Sequence, residues 1–401
     1  MPINLPYPQS FPNENEELFL KMLLCNENEF INFWEQWNKE VIFDDIENSI
    51  TRLLPLLYLR LKNFDISNEI TGRIKGVYKL SWFKNQLLIE ETKKVIDLFN
   101  KNNIPTILLK GVPLLLDVYK DRGVRILSDV DILIEPKNVL KAVNLLISNE
   151  WFYAEKNIIH IDEYINKETI DYLNVLSYET LFTNKKKVEL DLHWSIFNLN
   201  RQWTIFKLLT LRKFKPIIFN DLHWKNCVEI NVNGVYSNRL SNEDMLIHVI
   251  VHGAAKNPHR PLRWVIDSLY ILNNLSINWD LFFKNVEICN YEVEVYIALN
   301  YLIEKFNLKL DDSIIYRIKD LKLNKKNIKN YYKTSNNIFS LFGNNIPYVW
   351  YRYWVFDRKK YIPLNLYDFI NYLVKYFRFD SRKQLLKYFF NKYKKIFKNK
   401  I

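Results

Sequence analysis

Residues 104–135 read IPTILLKGVPLLLDVYKDRGVRILSDVDILIE, and the fold class turns on this stretch. Thr106-Ile107-Leu108-Leu109 is a short apolar run that follows Pro105 and stops at Lys110-Gly111. Such a run predicts a buried strand entering a turn. Gly111 then leads into a helix over VPLLLDVYK, and Ser128–Glu135 (SDVDILIE) has the composition of a second strand. Pro136 opens a helix, PKNVLKAVNLLISN, with Val139, Val143 and Leu146 on one stripe. Two β-like runs follow at 174–182 and 187–193, and the turn-prone Thr183–Lys186 between them predicts a hairpin. The order strand, helix, strand, helix, hairpin implies a small mixed α/β unit.

On both sides of this unit the pattern is helical. Upstream, residues 15–25, 49–63 and 81–103 carry apolar residues at helical spacing with Glu and Lys between them. Downstream, Ser241 with Asp244 three residues later gives a capping-box-like start to a helix, and Pro261 opens the next, PLRWVIDSLYILNN. Residues 290–401 are helical in pattern, aromatic and increasingly basic. The expected class is α+β: an N-terminal helical region over 1–103, an α/β core over 104–235 and a C-terminal helical region over 236–401. No internal repeat or clear interdomain linker is evident.

Apolar residues make up 48% of the 401, enough to bury a substantial core and to exclude a disordered chain. The net charge of +12 favours anionic partners such as nucleotides, nucleic acid or acidic lipid. A composition rich in Lys, Asn and Ile and poor in Gly, of the kind AT-rich genomes encode, accounts for the same excess. Cys25, Cys227 and Cys289 are odd in number and far apart, which argues against a disulfide framework and fits a reducing cytoplasm. The N-terminus lacks a basic segment followed by an apolar one, so no signal peptide is expected. No apolar run approaches the ~18 residues of a transmembrane span.

Alternate residues of a strand share a face, so Asp129 and Asp131 present two carboxylates to one side. Such a pair repels itself unless a cation lies between, and hard oxygen ligands suit Mg²⁺, with Mn²⁺ able to replace it. On the run VELDLHW, Glu189, Asp191 and His193 alternate with Val188, Leu190 and Leu192, giving one ionisable and one apolar face. Asp191 could complete a two-metal site or accept the proton of an attacking hydroxyl. Gly111 is one of only seven glycines, and backbone amides at the helix start it opens can hold phosphate oxygens. Lys110 and Arg125 would supply positive charge for the β- and γ-phosphates of a nucleoside triphosphate, with Ser128 beside them. Gly123 would allow a tight loop before Arg125, and Asp121 or Asp129 offers Arg125 a simple ion-pair partner instead.

Five elements in order resemble the uncharacterised nucleotidyltransferase family, within the DNA-polymerase-beta-like nucleotidyltransferase superfamily. They are Leu109-Lys110-Gly111, Arg125, Asp129-Val130-Asp131, Asp191-Leu192-His193-Trp194, and Leu262-Arg263-Trp264-Val265-Ile266-Asp267. The resemblance implies a minimal nucleotidyltransferase fold flanked by helices, with the two aspartates as metal ligands. It also implies transfer of a nucleoside monophosphate with release of pyrophosphate. The wider superfamily has Gly-Gly or Gly-Ser in its phosphate turn. Here Lys110-Gly111-Val112 stands there, and Lys110 takes the place of the absent serine.

Other groupings compete for attention. His248 and His252 lie four apart on one predicted helix, with Asp244 one turn earlier, but no HEXXH or nearby Cys supports zinc. His193, His252, Arg263 and Asp267 are expected to support the site from outside its first ring of ligands. Arg263 and Asp267 form an intrahelical pair by spacing, while the family motif would set Arg263 near the phosphates. A second Asp-Leu-His-Trp at 221–224 has different flanks and reads as coincidence. The basic aromatic segment 382–400 suits an anionic membrane surface, RNA, or burial on the protein itself. The combined expectation is a cytoplasmic, bacterial, Mg²⁺-dependent nucleotidyltransferase. Its acceptor would be a hydroxyl on a small molecule or peptide. A toxin-like enzyme acting on tRNA, and a catalytically silent nucleotide-binding or scaffold protein, are the alternatives.

Overall fold

The computed structural model describes residues 5–8, 10–64, 66–154, 179–196, 218–254, 262–332, 370–371, 373–374 and 380–387. The chain divides into two compact units, Met1–Leu133 with Phe219–Tyr332, and Ile134–Ile218 with Lys333–Ile401. Among the described residues, seven strands with both parallel and antiparallel pairings accompany many helices, so the class is α+β. The basic segment 388–400 and the run 174–178 lie outside the described residues.

The first unit opens with helices α1 (Glu14–Leu24), α2 (Glu27–Glu40), α3 (Asn48–Thr51) and α4 (Leu54–Lys62). Asn13 and Glu16 close a reciprocal capping box on α1. The fifth helix, α5, runs from Glu69 to Lys101, starting well before the 81–103 that periodicity alone suggested. Asn68 caps it through Thr71, and Ile74, Leu88, Ile89, Val95, Ile96 and Phe99 form its buried stripe against α4 and the sheet.

Asn85 interrupts that stripe, fully buried, for a reason the loop ahead explains. Its Nδ2 donates to the carbonyls of Arg122 (2.7 Å) and Arg125 (2.9 Å), and its Oδ1 accepts from the Leu127 amide (3.1 Å). The side chain thereby fixes the backbone of the segment that feeds strand β2. Gly123 sits in the same segment against Tyr78, where an added Cβ would lie 2.5 Å from the ring. Asn85→Ala removes the side-chain partner of two carbonyls and one amide, two of these bonds being fully buried, and is expected to cost roughly 2–3 kcal/mol. Chemical denaturation checks it. A variant within about 0.5 kcal/mol of wild type would show the staple to be dispensable.

Strand β1 (Thr106–Leu109) is buried throughout, and β2 spans Asp129–Ile134. The first unit's strands run in the order β2-β1-β7-β6. Between β1 and β2 the chain makes a short helix, α6 (Gly111–Pro113), continued as a π-helix over Leu114–Tyr119. The hairpin of β6 (Val228–Val232) and β7 (Val235–Arg239) turns at Asn233 (φ +51°) and Gly234 (φ +91°). Two left-handed residues are what a two-residue hairpin turn demands. Strand β7 runs parallel to β1, with Ile107 opposite Asn238 and Leu108 opposite Arg239.

In the second unit Pro136–Asn138 form a 3₁₀ turn ahead of α7 (Val139–Ser148), which buries Val139, Val143 and Leu146 as expected. Strands β3 (Trp151–Tyr153), β4 (Glu179–Asn184) and β5 (Glu189–His193) form an antiparallel meander in that order. Asn184 Oδ1 closes the β4–β5 turn by accepting from the amides of Lys186 and Val188.

The first unit resumes with α8 (Ile218–Asn226), α9 (Asn242–Ala254), α10 (Arg263–Asn274), α11 (Trp279–Cys289), α12 (Glu292–Phe306), α13 (Asp312–Lys319) and α14 (Lys325–Tyr332). Ser241 Oγ accepts from the Asp244 amide, as the capping pattern predicted. Gly253 lets α9 and α10 approach closely, because a Cβ there would lie 2.0 Å from that of Trp264. The two Asp-Leu-His-Trp copies adopt different structures, strand β5 and helix α8, so the repetition has no structural counterpart. Asp244 bonds His223 (2.6 Å) and Asn285 (2.7 Å). The rings of His248 and His252 meet edge to face at 6.2 Å on α9. Among the described residues no helix is long and apolar enough to cross a membrane.

Candidate functional site

The end of β1, the start of β2 and the first turn of α10 bring eight of the singled-out residues into one part of the first unit. Lys110 ends β1 with φ +49° and ψ −105°, a backbone conformation disfavoured for any residue but glycine. Its ammonium lies 2.6 Å from Asp131 Oδ1. Asp131 is 4% exposed, whereas Asp129, two residues earlier on the same face of β2, is half-buried. Ser128 is exposed and donates to Asp129 Oδ1 at 2.9 Å.

Gly111 is held tightly. A Cβ there would lie 2.8 Å from Leu127 Cδ2 and 3.3 Å from Arg125 Nη1. A side chain at this position would have to displace the end of Leu127 and crowd the guanidinium.

Arg125 does not pair with Asp121 or Asp129. Its Nε and Nη2 donate to the two carboxylate oxygens of Asp267, each at 3.0 Å, and Tyr119 Oη donates to Asp267 Oδ1 at 2.7 Å. Arg263 correspondingly makes no intrahelical ion pair with Asp267. Its Nη1 donates to the carbonyl of Ile126 at 2.7 Å. The i,i+4 spacing thus yields to a bidentate pairing between distant segments, which fits the planar guanidinium better.

Burial opposes charge on both Arg125 and Asp267, but their attraction outweighs it. Arg125 is raised above its ordinary value, and Asp267 is held below its ordinary 3.8. Burial and the adjacent carboxylate push the Tyr119 hydroxyl well above 10. Burial, then repulsion from Arg125 and Arg52, brings Arg263 down to about 9. Arg52, from the turn between α3 and α4, is lowered by burial and by Arg125, and its Nη2 donates to Ser128 Oγ at 3.3 Å. Sequence reading missed Arg52, since nothing local marks a residue whose partner lies 76 positions ahead.

Asp191 and His193 stand on β5 of the second unit, where Asp191 opposes Leu181 of β4 and His193 opposes Glu179. His193 is 2% exposed, with Nδ1 at 3.2 Å from Glu179 Oε2. The alternation expected for this strand holds, with Val188, Leu190 and Leu192 buried. His252 stands on α9, where its ring meets that of His248.

The donor chemistry fits a hard divalent cation. A nearly buried carboxylate requires positive charge beside it, and at Asp131 the Lys110 ammonium supplies it. Neighbouring Asp129 offers further oxygens of the kind Mg²⁺ prefers.

No curated protein matches the chain. Among solved structures it is similar to an antigenic nucleotidyltransferase-like protein from Paracoccidioides brasiliensis. The identity is 13% over 60% of this chain and 95% of that one, with a TM-score of 0.34. The family described as "Uncharacterised nucleotidyltransferase" matches residues 50–307, well over half of the chain. The chain belongs to this uncharacterised nucleotidyltransferase family.

Proposed function

We propose that the protein moves a nucleoside monophosphate from a nucleoside triphosphate to a hydroxyl of a small-molecule or peptide acceptor, using Mg²⁺ or Mn²⁺. One observation carries this reading. Asp129 and Asp131 share a face of β2, and Lys110 reaches Asp131 from the glycine turn at 2.6 Å.

In this proposal Asp129 and Asp131 hold metal, with Asp191 joining them and His193 in support. Asp131, Asp191 and His193 are residue types and ligand atoms suited to a divalent ion. When bound, the ion polarises the phosphate and lowers the cost of forming an alkoxide. The chain's own groups do the rest. Lys110 and the Gly111 amide hold the phosphate tail, and Ser128 offers it a hydroxyl. Arg125, tied to Asp267, fixes the floor beside Gly111. Asp191 accepts the proton as the acceptor oxygen bonds to the α-phosphorus, the α–β phosphoanhydride bond breaks and pyrophosphate leaves. Three cysteines outside any disulfide support a reducing compartment, the cytoplasm.

The test is calorimetric binding of each ribonucleoside triphosphate, with and without Mg²⁺, to wild type and to Asp129→Asn/Asp131→Asn. Mg²⁺-dependent binding should appear in the wild type and vanish in the double variant. Equal binding by both proteins would remove the aspartates from the site.

A further inference from the structure

We infer that Arg52, together with Arg263 and Ser128, forms a binding site for a phosphate or pyrophosphate group on the segment Arg125–Ser128. The inference deepens the nucleotidyltransfer reading and rests on it only for the identity of the molecule that carries the phosphate.

Three guanidinium groups converge on four consecutive residues. Arg125 belongs to the segment, Arg263 donates to the carbonyl of Ile126 at 2.7 Å, and Arg52 donates to Ser128 Oγ at 3.3 Å. They come from three places in the chain: the α3–α4 turn, the loop before β2 and the first turn of α10. Among the described residues, only Arg125 of the three is in ion-pair contact with a carboxylate, that of Asp267. Arg52 and Arg263 therefore bring two positive charges that the fold does not neutralise at contact distance.

Holding like charges together costs free energy, and the cost is visible. Arg263 and Arg52 are both pushed down, by burial first and by neighbouring guanidinia next, and the carboxylates of Asp129 and Asp267 offset only part of this. An anion placed among them would favour their charged forms and relieve the repulsion. Guanidinium forks match phosphate oxygens in geometry as well as charge. Exposed Ser128 can turn its hydroxyl to the same anion.

The probe is inorganic tripolyphosphate, measured by calorimetry without divalent metal at low salt. Wild type should bind it, and Arg52→Gln should weaken binding by about tenfold or more, the range for a lost charge-assisted contact. Arg52→Lys should fall between, keeping charge without the fork. Lys79→Gln, an exposed lysine on α5, controls for net charge. Unchanged binding in Arg52→Gln, or equal weakening in Lys79→Gln, would overturn the assignment. Because Arg52 is only half-buried and makes one side-chain hydrogen bond, Arg52→Gln should fold, and circular dichroism checks this. Competition between tripolyphosphate and a nucleoside triphosphate assigns the site to the nucleotide's own tail. Simultaneous binding assigns it to a phosphorylated acceptor. Asp129→Asn/Asp131→Asn should keep metal-free tripolyphosphate binding. If the nucleotide reading alone fails, that result still stands.

Discussion

Asp267→Asn should destabilise the protein by about 3–5 kcal/mol, the usual cost of breaking a buried ion pair by removing one partner. Asparagine keeps the shape of the side chain, so the loss is one of charge. Arg125 would remain, 9% exposed, facing a neutral amide that offers one acceptor where two carboxylate oxygens stood. Tyr119 would lose a charged acceptor as well. Denaturant unfolding at neutral pH measures the effect. A loss under about 1 kcal/mol, the level of an exposed pair, would show that the guanidinium is solvated or finds another anion. Arg125→Met/Asp267→Leu should recover most of the loss, because two apolar groups leave no charge stranded.

The same pair sets an acid dependence whose direction follows from linkage. The folded value of Asp267 lies below its ordinary 3.8. The unfolded chain therefore takes up the proton first as pH falls. The pair's contribution is whole above about pH 4 and is lost as pH drops through the folded value. Wild type and Asp267→Asn should differ by a constant amount from neutrality to about pH 4, then converge. A gap that stays constant through pH 3 would mean that Asp267 is not held in its charged form by the fold.

Much of the core could be read from residues because its signals are local. The run Thr106–Leu109, the glycine after it, the aspartates two apart and the turn before Val188 each declare themselves within a few residues. The β6–β7 hairpin escaped although Asn233-Gly234 is a strong turn signal. Its inner face is the reason: Ser237 and Arg239 are buried, bonded to Thr106 and Asp117, so the strand shows no apolar alternation. Asn85 was legible in principle, since an amide within an apolar helical stripe requires buried partners. Arg125–Asp267 and Arg52–Ser128 were not legible. They join residues 142 and 76 positions apart, and charge alone does not choose among several aspartates.

Lys110→Met should cost about 2–3 kcal/mol without divalent ions, and Mg²⁺ or Mn²⁺ should restore more stability to it than to wild type. The ammonium is 22% exposed and the Asp131 carboxylate 3%, so the charge left behind is the buried one. Removing a charged partner from a buried carboxylate carries that penalty. Methionine at 110 retains the left-handed backbone, so any strain there is common to both proteins and cancels. In wild type the ammonium and an added cation compete for the same oxygen of Asp131. In Lys110→Met the cation has no competitor, and it stabilises the folded state by RT ln(1 + [ion]/Kd). Unfolding midpoints measured against Mg²⁺ concentration should therefore rise more steeply for the variant. Adding Asp131→Asn to Lys110→Met should abolish the ion dependence. A variant whose midpoint ignores both ions would mean that Lys110 serves Asp131 as a structural counter-ion, and the metal assignment at this aspartate would fall with it.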